Sequence, residues 1–140
     1  MEFLINDSTE YEISNQLINT IWNISDKSMN LNVKTQSISF FIKSLDNIDV
    51  RISSKVIRYL TMFNKNIYST NQVRLLESKL KSNASYSNLV ILLGYVGNIS
   101  TIDSIKQILP NSRKFSKNEI WATYKALARL GDGNSIDYCV

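Results

Sequence analysis

The sequence predicts an all-α protein, a stack of about four antiparallel helix pairs. Three observations predict it. Apolar residues recur at helical spacing through most of the chain, and breakers are scarce, with one proline and four glycines in 140 residues. Four positions then repeat at an offset of 34 in three successive segments: Ile52, Tyr86 and Ile120; Val56, Val90 and Tyr124; Tyr59, Leu93 and Leu127; Met62, Val96 and Leu130. The turn that follows repeats as well. Leu93-Gly94-Tyr95-Val96-Gly97-Asn98 returns as Leu127-Ala128-Arg129-Leu130-Gly131-Asp132, and Thr101-Ile102-Asp103 returns as Ser135-Ile136-Asp137. A period of this length holds one helical hairpin, which is too small to bury its own apolar face, so successive copies must stack.

Taken in order, the first helix is expected over residues 9–24. Ile13, Leu17, Ile21 and Ile24 form its stripe, with Ile18 and Trp22 beside it. Thr9 with Glu12 offers a capping box there, and Asp7 with Glu10 competes for the same role. Residues 25–32 are polar and unpatterned and read as a loop. A second helix follows over 35–46 with Ile38, Phe41, Ile42 and Leu45 inward, then a short turn and a third over 50–63. The fourth, over 71–81, turns Val73, Leu76 and Leu80 inward, and the fifth spans 86–96. Ser100 with Asp103 is the expected cap of the sixth, whose stripe is Ile102, Ile105 and Leu109 before the stop at Pro110. Ser116 and Glu119 form a capping box for the seventh, with Phe115 and Ile120 placed as a hydrophobic staple. An eighth starts at Asn134 or Ser135 and carries Ile136 and Cys139 or Val140 on its stripe. The repeats therefore cover about 9–46, 50–81, 86–110 and 116–140 of one domain.

Composition narrows the chemistry. The chain has no histidine and one cysteine, Cys139, so histidine-ligated metals, histidine acid–base catalysis and internal disulfides are excluded. The opening Met1-Glu2-Phe3-Leu4-Ile5 lacks the charge and length of a signal peptide, and the longest aliphatic run is far too short to cross a membrane. A cytoplasmic protein with no membrane partner is expected. Charge is uneven: residues 1–50 carry seven acids and three bases, the remaining ninety carry five acids and thirteen bases.

The repeated turn resembles the HEAT repeat, in particular the short HEAT-like type of the phycobilin lyases, whose first helix ends Leu-Gly-Arg-Ile-Gly-Asp. Residues 127–132 differ from that pattern by Ala128 and Leu130, and residues 93–98 keep both glycines. The second glycine is expected to take the positive φ of a helix C-cap, the Asp or Asn after it to bond turn amides, and the small residue at 94 or 128 to let helices approach. The tetratricopeptide template shares the period, but its Trp, Gly-Tyr, Ala and Pro landmarks are not met together. The resemblance covers residues 86–140 best, 50–81 less closely, and 9–46 by helix count alone. It implies a right-handed α-solenoid of the armadillo/HEAT kind, with second helices lining the concave side.

No catalytic constellation and no cofactor motif is visible. Gly94 and Gly97 have neither a preceding strand nor a following Lys-Ser/Thr, so they make no phosphate loop. Trp22 and Trp121 lie beside apolar stripes and are expected to pack. Cys139 aligns with the core position Ile105, and Asp103 and Asp137 recur as cap residues. If the second helices line a groove, its exposed cations are Lys43, Arg74, Lys79, Lys81 and Lys106, accompanied by Glu77 and Asp103; Arg113, Lys114 and Lys117 lie in or beside the loop between the sixth and seventh helices. These eight are the candidate partner-binding residues. The expected function is non-enzymatic: a scaffold binding another macromolecule, most simply a protein, through that groove or through the terminal face. The alternatives are nucleic-acid binding by the basic C-terminal part, as the resemblance to HEAT-like DNA glycosylases would imply, and a lyase-like enzyme by family analogy alone. Residue 143, the partner of Leu109 by the repeat, does not exist, so the seventh helix is expected to be half covered. Either the array continues or this face docks on another surface, a second copy included.

Overall fold

The structure is a computed structural model that describes residues 7–46, 49–81, 86–108 and 115–135. Its described elements are α-helices, with one 3₁₀ turn. They are α1 Asp7–Lys27, α2 Leu31–Ser44, α3 Val50–Met62, the 3₁₀ turn Lys65–Ile67, α4 Thr70–Ser78, α5 Tyr86–Val96, α6 Ile99–Ile108 and α7 Lys117–Arg129. Residues 133–135 begin a further helical turn. Two rows of helices result: α1, α3, α5 and α7 pack in succession, and α2, α4 and α6 pack in succession against them. The core lies between the rows, from Ile38, Phe41 and Ile42 through Ile52, Val56 and Leu60 to Leu76, Leu89, Leu93, Ile105 and Leu127.

Side-chain caps place the helix starts, as each N-terminus needs acceptors for its free amides. Asn30 accepts the Asn32 N–H at 2.8 Å and Asp49 accepts that of Arg51 at 2.9 Å. Ser69 with Gln72 and Ser116 with Glu119 form reciprocal capping boxes. Replacing Ser116 by Ala removes one half of the second box and is expected to cost about 1 kcal/mol, read as a lower urea midpoint at unchanged slope.

Several expectations change. The helix α1 is already helical at Asp7, so the start expected at Thr9 falls inside it, and it continues to Lys27, so the expected loop at 25–32 shrinks to three residues. Its predicted stripe holds only at Ile21, which packs against the core; Ile13, Leu17 and Ile24 are exposed, and Ile18, expected beside the stripe, is the buried isoleucine. The face turned to α3 carries Tyr11, Asn15 and Asn19, which partner Arg51, Lys55 and Tyr59, each 40 residues further on. Polar partners for that α3 face outrank a purely apolar contact, because a buried polar group without a hydrogen bond is costly. Asn98, not Ser100, caps α6; it accepts the Ser100 N–H at 3.0 Å while Thr101 Oγ1 accepts the Asn98 N–H. Phe115 stacks on Tyr86 at 4.9 Å between ring centres. Met62 is 61% exposed although Val96, at the same register, is buried. The chain leaves α3 in extended conformation at Phe63, and Phe63 takes the inward place.

The two turn glycines separate in role. Gly131 has φ of +100°, the conformation expected of the C-cap. Gly97 is instead required by space, as a Cβ there would sit 2.5 Å from the Leu93 carbonyl oxygen and 2.7 Å from Thr101 Oγ1. The C-terminal carbonyl of Leu60 in α3 accepts a hydrogen bond from the Tyr68 hydroxyl. Burial pushes that phenol's pKa far up, with Tyr95 nearby adding to the shift. Leu109, Pro110, Ile136, Asp137, Cys139 and Val140 lie outside the described residues, and so does any cover they give α7.

Candidate functional site

Two of the candidate cations on the second-helix row are held in ion pairs. Lys79 pairs with Asp46 from the end of α2, and Lys106 pairs with Asp132 beyond α7 at 2.9 Å. Between them, Ser104 of α6 donates to Glu77 Oε2 of α4 at 3.1 Å, while Glu77 Oε1 is buried with no partner among the described residues. These contacts tie successive helices together along the row. Lys43, Arg74 and Lys81 remain exposed there, and Lys117 is exposed at the first turn of α7. Arg113 and Lys114 lie outside the described residues.

The Lys106–Asp132 tie carries a pH expectation. The Asp132 carboxyl is held below its usual range, first by the Ser135 hydroxyl and then by Lys106. A lowered folded pKa means that its stabilisation is full above the unfolded value of about 4 and is lost as pH falls through the folded value. Asp132→Asn should therefore melt lower than the parent at neutral pH, with the gap closing under acid; a gap that persists there would assign the effect to packing.

An open cleft lies on the other row. It has a volume of about 590 Å³ and is lined by Tyr11 of α1, by Arg51, Ser54, Lys55, Ile57, Arg58 and Thr61 of α3, and by Asn88 of α5. Its cations stand at i, i+4 and i+7, so they share one face of α3. The Arg51 guanidinium lies 3.7 Å above the Tyr11 ring and bonds Asp49, which lowers the carboxyl pKa, chiefly through the side-chain hydrogen bonds. Lys55 donates to Asn15 Oδ1 at 2.6 Å, a neutral acceptor. Arg58 is exposed and pairs with no acid among the described residues. The cleft opens because α5 packs more closely on α7 than on α3. On α5 the repeat puts Leu89 and Leu92, both buried, where α3 has Lys55 and Arg58. Charged heads are costly to bury where leucines are not, so α3 keeps that face open.

The sequence expectations overlooked this cleft by seeking cations on the second helices. Its signal was present as Arg51, Lys55 and Arg58 on one helical face. Of the tryptophans, Trp22 packs as expected, stacked on Tyr59 at 4.9 Å. Trp121 does not: it is 49% exposed, with Lys125 Nζ 4.5 Å from its ring centre. It stands at the register of Ser53, which is buried in α3, but among the described helices α7 packs chiefly on α5, with α6 beside it. A smaller apolar cleft lies between α1 and α2, lined by Ile21, Ile24, Val33 and Phe40 among others.

Among the described residues no three His, Cys, Asp or Glu side chains gather to hold a metal, and no helix is long and apolar enough to cross a membrane. Compared with protein families, with curated proteins and with solved structures, the chain matches none of them.

Proposed function

We propose that this chain is a non-enzymatic helical-repeat scaffold in the cytoplasm: a HEAT-like, right-handed array that binds another protein across its row of first helices. The observation that carries the proposal is the open cleft spanning α1, α3 and α5, which presents charged and amide groups on a rigid layered frame. Layered repeats offer extended surfaces suited to other macromolecules. The exposed Trp121 and the cleft arginines are also of the residue types that dominate protein interfaces. Moving the partner surface from the second helices to the first follows from the ion pairs that occupy Lys79 and Lys106.

The test is affinity capture on the immobilised chain, followed by rebinding of each recovered protein in purified form. A saturable isotherm with at least one of them supports the scaffold. Recovery of nothing that rebinds counts against it. A salt-sensitive shift of labelled duplex DNA at near-physiological ionic strength would move the assignment to nucleic acid.

A further inference from the structure

We infer that the cleft along α3 receives an acidic helical segment of a protein, whose carboxylates meet Lys55 and Arg58 while Arg51 closes one end. The inference rests on the scaffold reading and names the chemistry of its partner.

Charge balance comes first. Asp49 offsets Arg51, but Lys55 meets only a neutral amide oxygen and Arg58 pairs with no acid among the described residues. Two cations on one wall of a cleft, neither in an ion pair among the described residues, favour an anionic occupant. These residues are also not part of a periodic solvated face. At offsets of 34 and 68 from Lys55 and Arg58 stand Leu89 and Leu92, then Thr123 and Ala126, and all four are buried. The cations are particular to α3.

Geometry selects the class of anion. From Arg51 to Arg58 the row rises about 10 Å along the helix axis. An amphipathic helix carrying acids at i, i+4 and i+7 has the same pitch and can lie alongside, with Asn88 and Thr61 as hydrogen-bonding groups on the remaining walls. A nucleic-acid backbone fits less well. Three cations span few phosphates, so the counterion release that drives backbone binding is small here. Among the described residues Tyr11 is the single aromatic lining the cleft, and Arg51 already covers one face of it, so it is poorly placed for base stacking.

The experiment is fluorescence anisotropy with the full chain and a labelled helical peptide bearing glutamates on one stripe, its glutamine counterpart being the control. The expected result is saturable binding of the acidic peptide alone, weakened about 10-fold or more by Arg58→Glu and by Lys55→Gln, a loss typical of charged interface contacts. Lys43→Glu and Arg74→Glu, on the other row, should leave it within about 2-fold. Circular dichroism melts confirm that each variant is folded, and peptide-induced amide shifts at Asn88 and Thr61 place the peptide in the cleft. Absence of saturable binding overturns the inference, as does equal weakening by Lys43→Glu. Tighter binding of a single-stranded oligonucleotide or of inorganic phosphate, lost in Arg58→Glu, also overturns it in favour of a phosphate ligand. A captured protein that rebinds Arg58→Glu and the parent equally would leave the scaffold standing and remove this cleft from it.

Discussion

Gly94→Val is expected to destabilise the protein by about 2–3 kcal/mol, the cost of overpacking a close helix crossing. A Cβ built at Gly94 lies 2.8 Å from the Ala126 Cα, 3.0 Å from its Cβ and 3.3 Å from its carbonyl oxygen. The nearest obstacle is backbone, so α5 and α7 must separate before a side chain can enter. Glycine costs a helix interior about 1 kcal/mol relative to alanine, so Gly94→Ala recovers propensity against a smaller clash and should fall between parent and Val variant. Denaturant midpoints at constant slope would measure both. The cycle with Ala126→Gly is informative because it takes away the facing methyl group and leaves the facing backbone in place. Partial rescue of Gly94→Ala is therefore expected, and full rescue would mean that the helices had already moved apart. The separation would also reach function: α5 carries Asn88 on one wall of the cleft, and its distance from α3 depends on how firmly α7 holds it.

The sequence revealed most where the repeat is strict. Helices α5 and α7 lie within a few residues of where the 34-residue offset puts them, because a glycine follows each and the register pair Leu93 and Leu127 is buried in both. The inward residues of α2 and α4 were likewise evident, as Ile38, Phe41, Ile42, Val73 and Leu76 are all buried, and so is Leu80 just past the end of α4. What was hidden depended on partners distant in the chain. The face of α1 could not be chosen from its own residues, since apolar side chains occur on two stripes and only the polar edge of α3 decides between them. Nor does Lys79 announce Asp46, 33 residues earlier, as its partner. Family analogy then directed attention to the second helices, while the cationic row of α3 was readable from spacing alone. Residues 127–132 were expected to repeat the conformation of 93–98; instead Gly131 is needed for its φ and Gly97 for its lack of a side chain.

Phe41→Ala is expected to have the other large effect, about 3–5 kcal/mol, a substantial part of the stability of a domain this size. Phe41 is fully buried in α2, and its ring lies 5.9 Å from that of Tyr59 and 6.1 Å from that of Phe63, centre to centre. Trp22 stacks on Tyr59 and meets Phe63 edge-on, so one aromatic cluster joins α1, α2 and the end of α3. Removing the Phe41 ring leaves a void bordered by the Tyr59 and Phe63 rings, which close it poorly, and this is why the upper part of the range is expected. The same cluster holds the α1–α3 seam: Tyr59 donates to Asn19, one helical turn from the Lys55–Asn15 hydrogen bond at the cleft. Amide exchange in the folded variant should therefore accelerate first in α1 and α2, and the cleft should lose its Tyr11 wall before α5 and α7 open. Met62→Ala is the matching control. The repeat register alone equates Met62 with the buried Val96, yet Met62 is solvent-facing. Its truncation should stay within about 0.5 kcal/mol of the parent in the same denaturation experiment. A loss at Met62 comparable to that at Phe41 would show that α3 turns its last residue inward, as the register implies, and would place Phe63 outside the cluster.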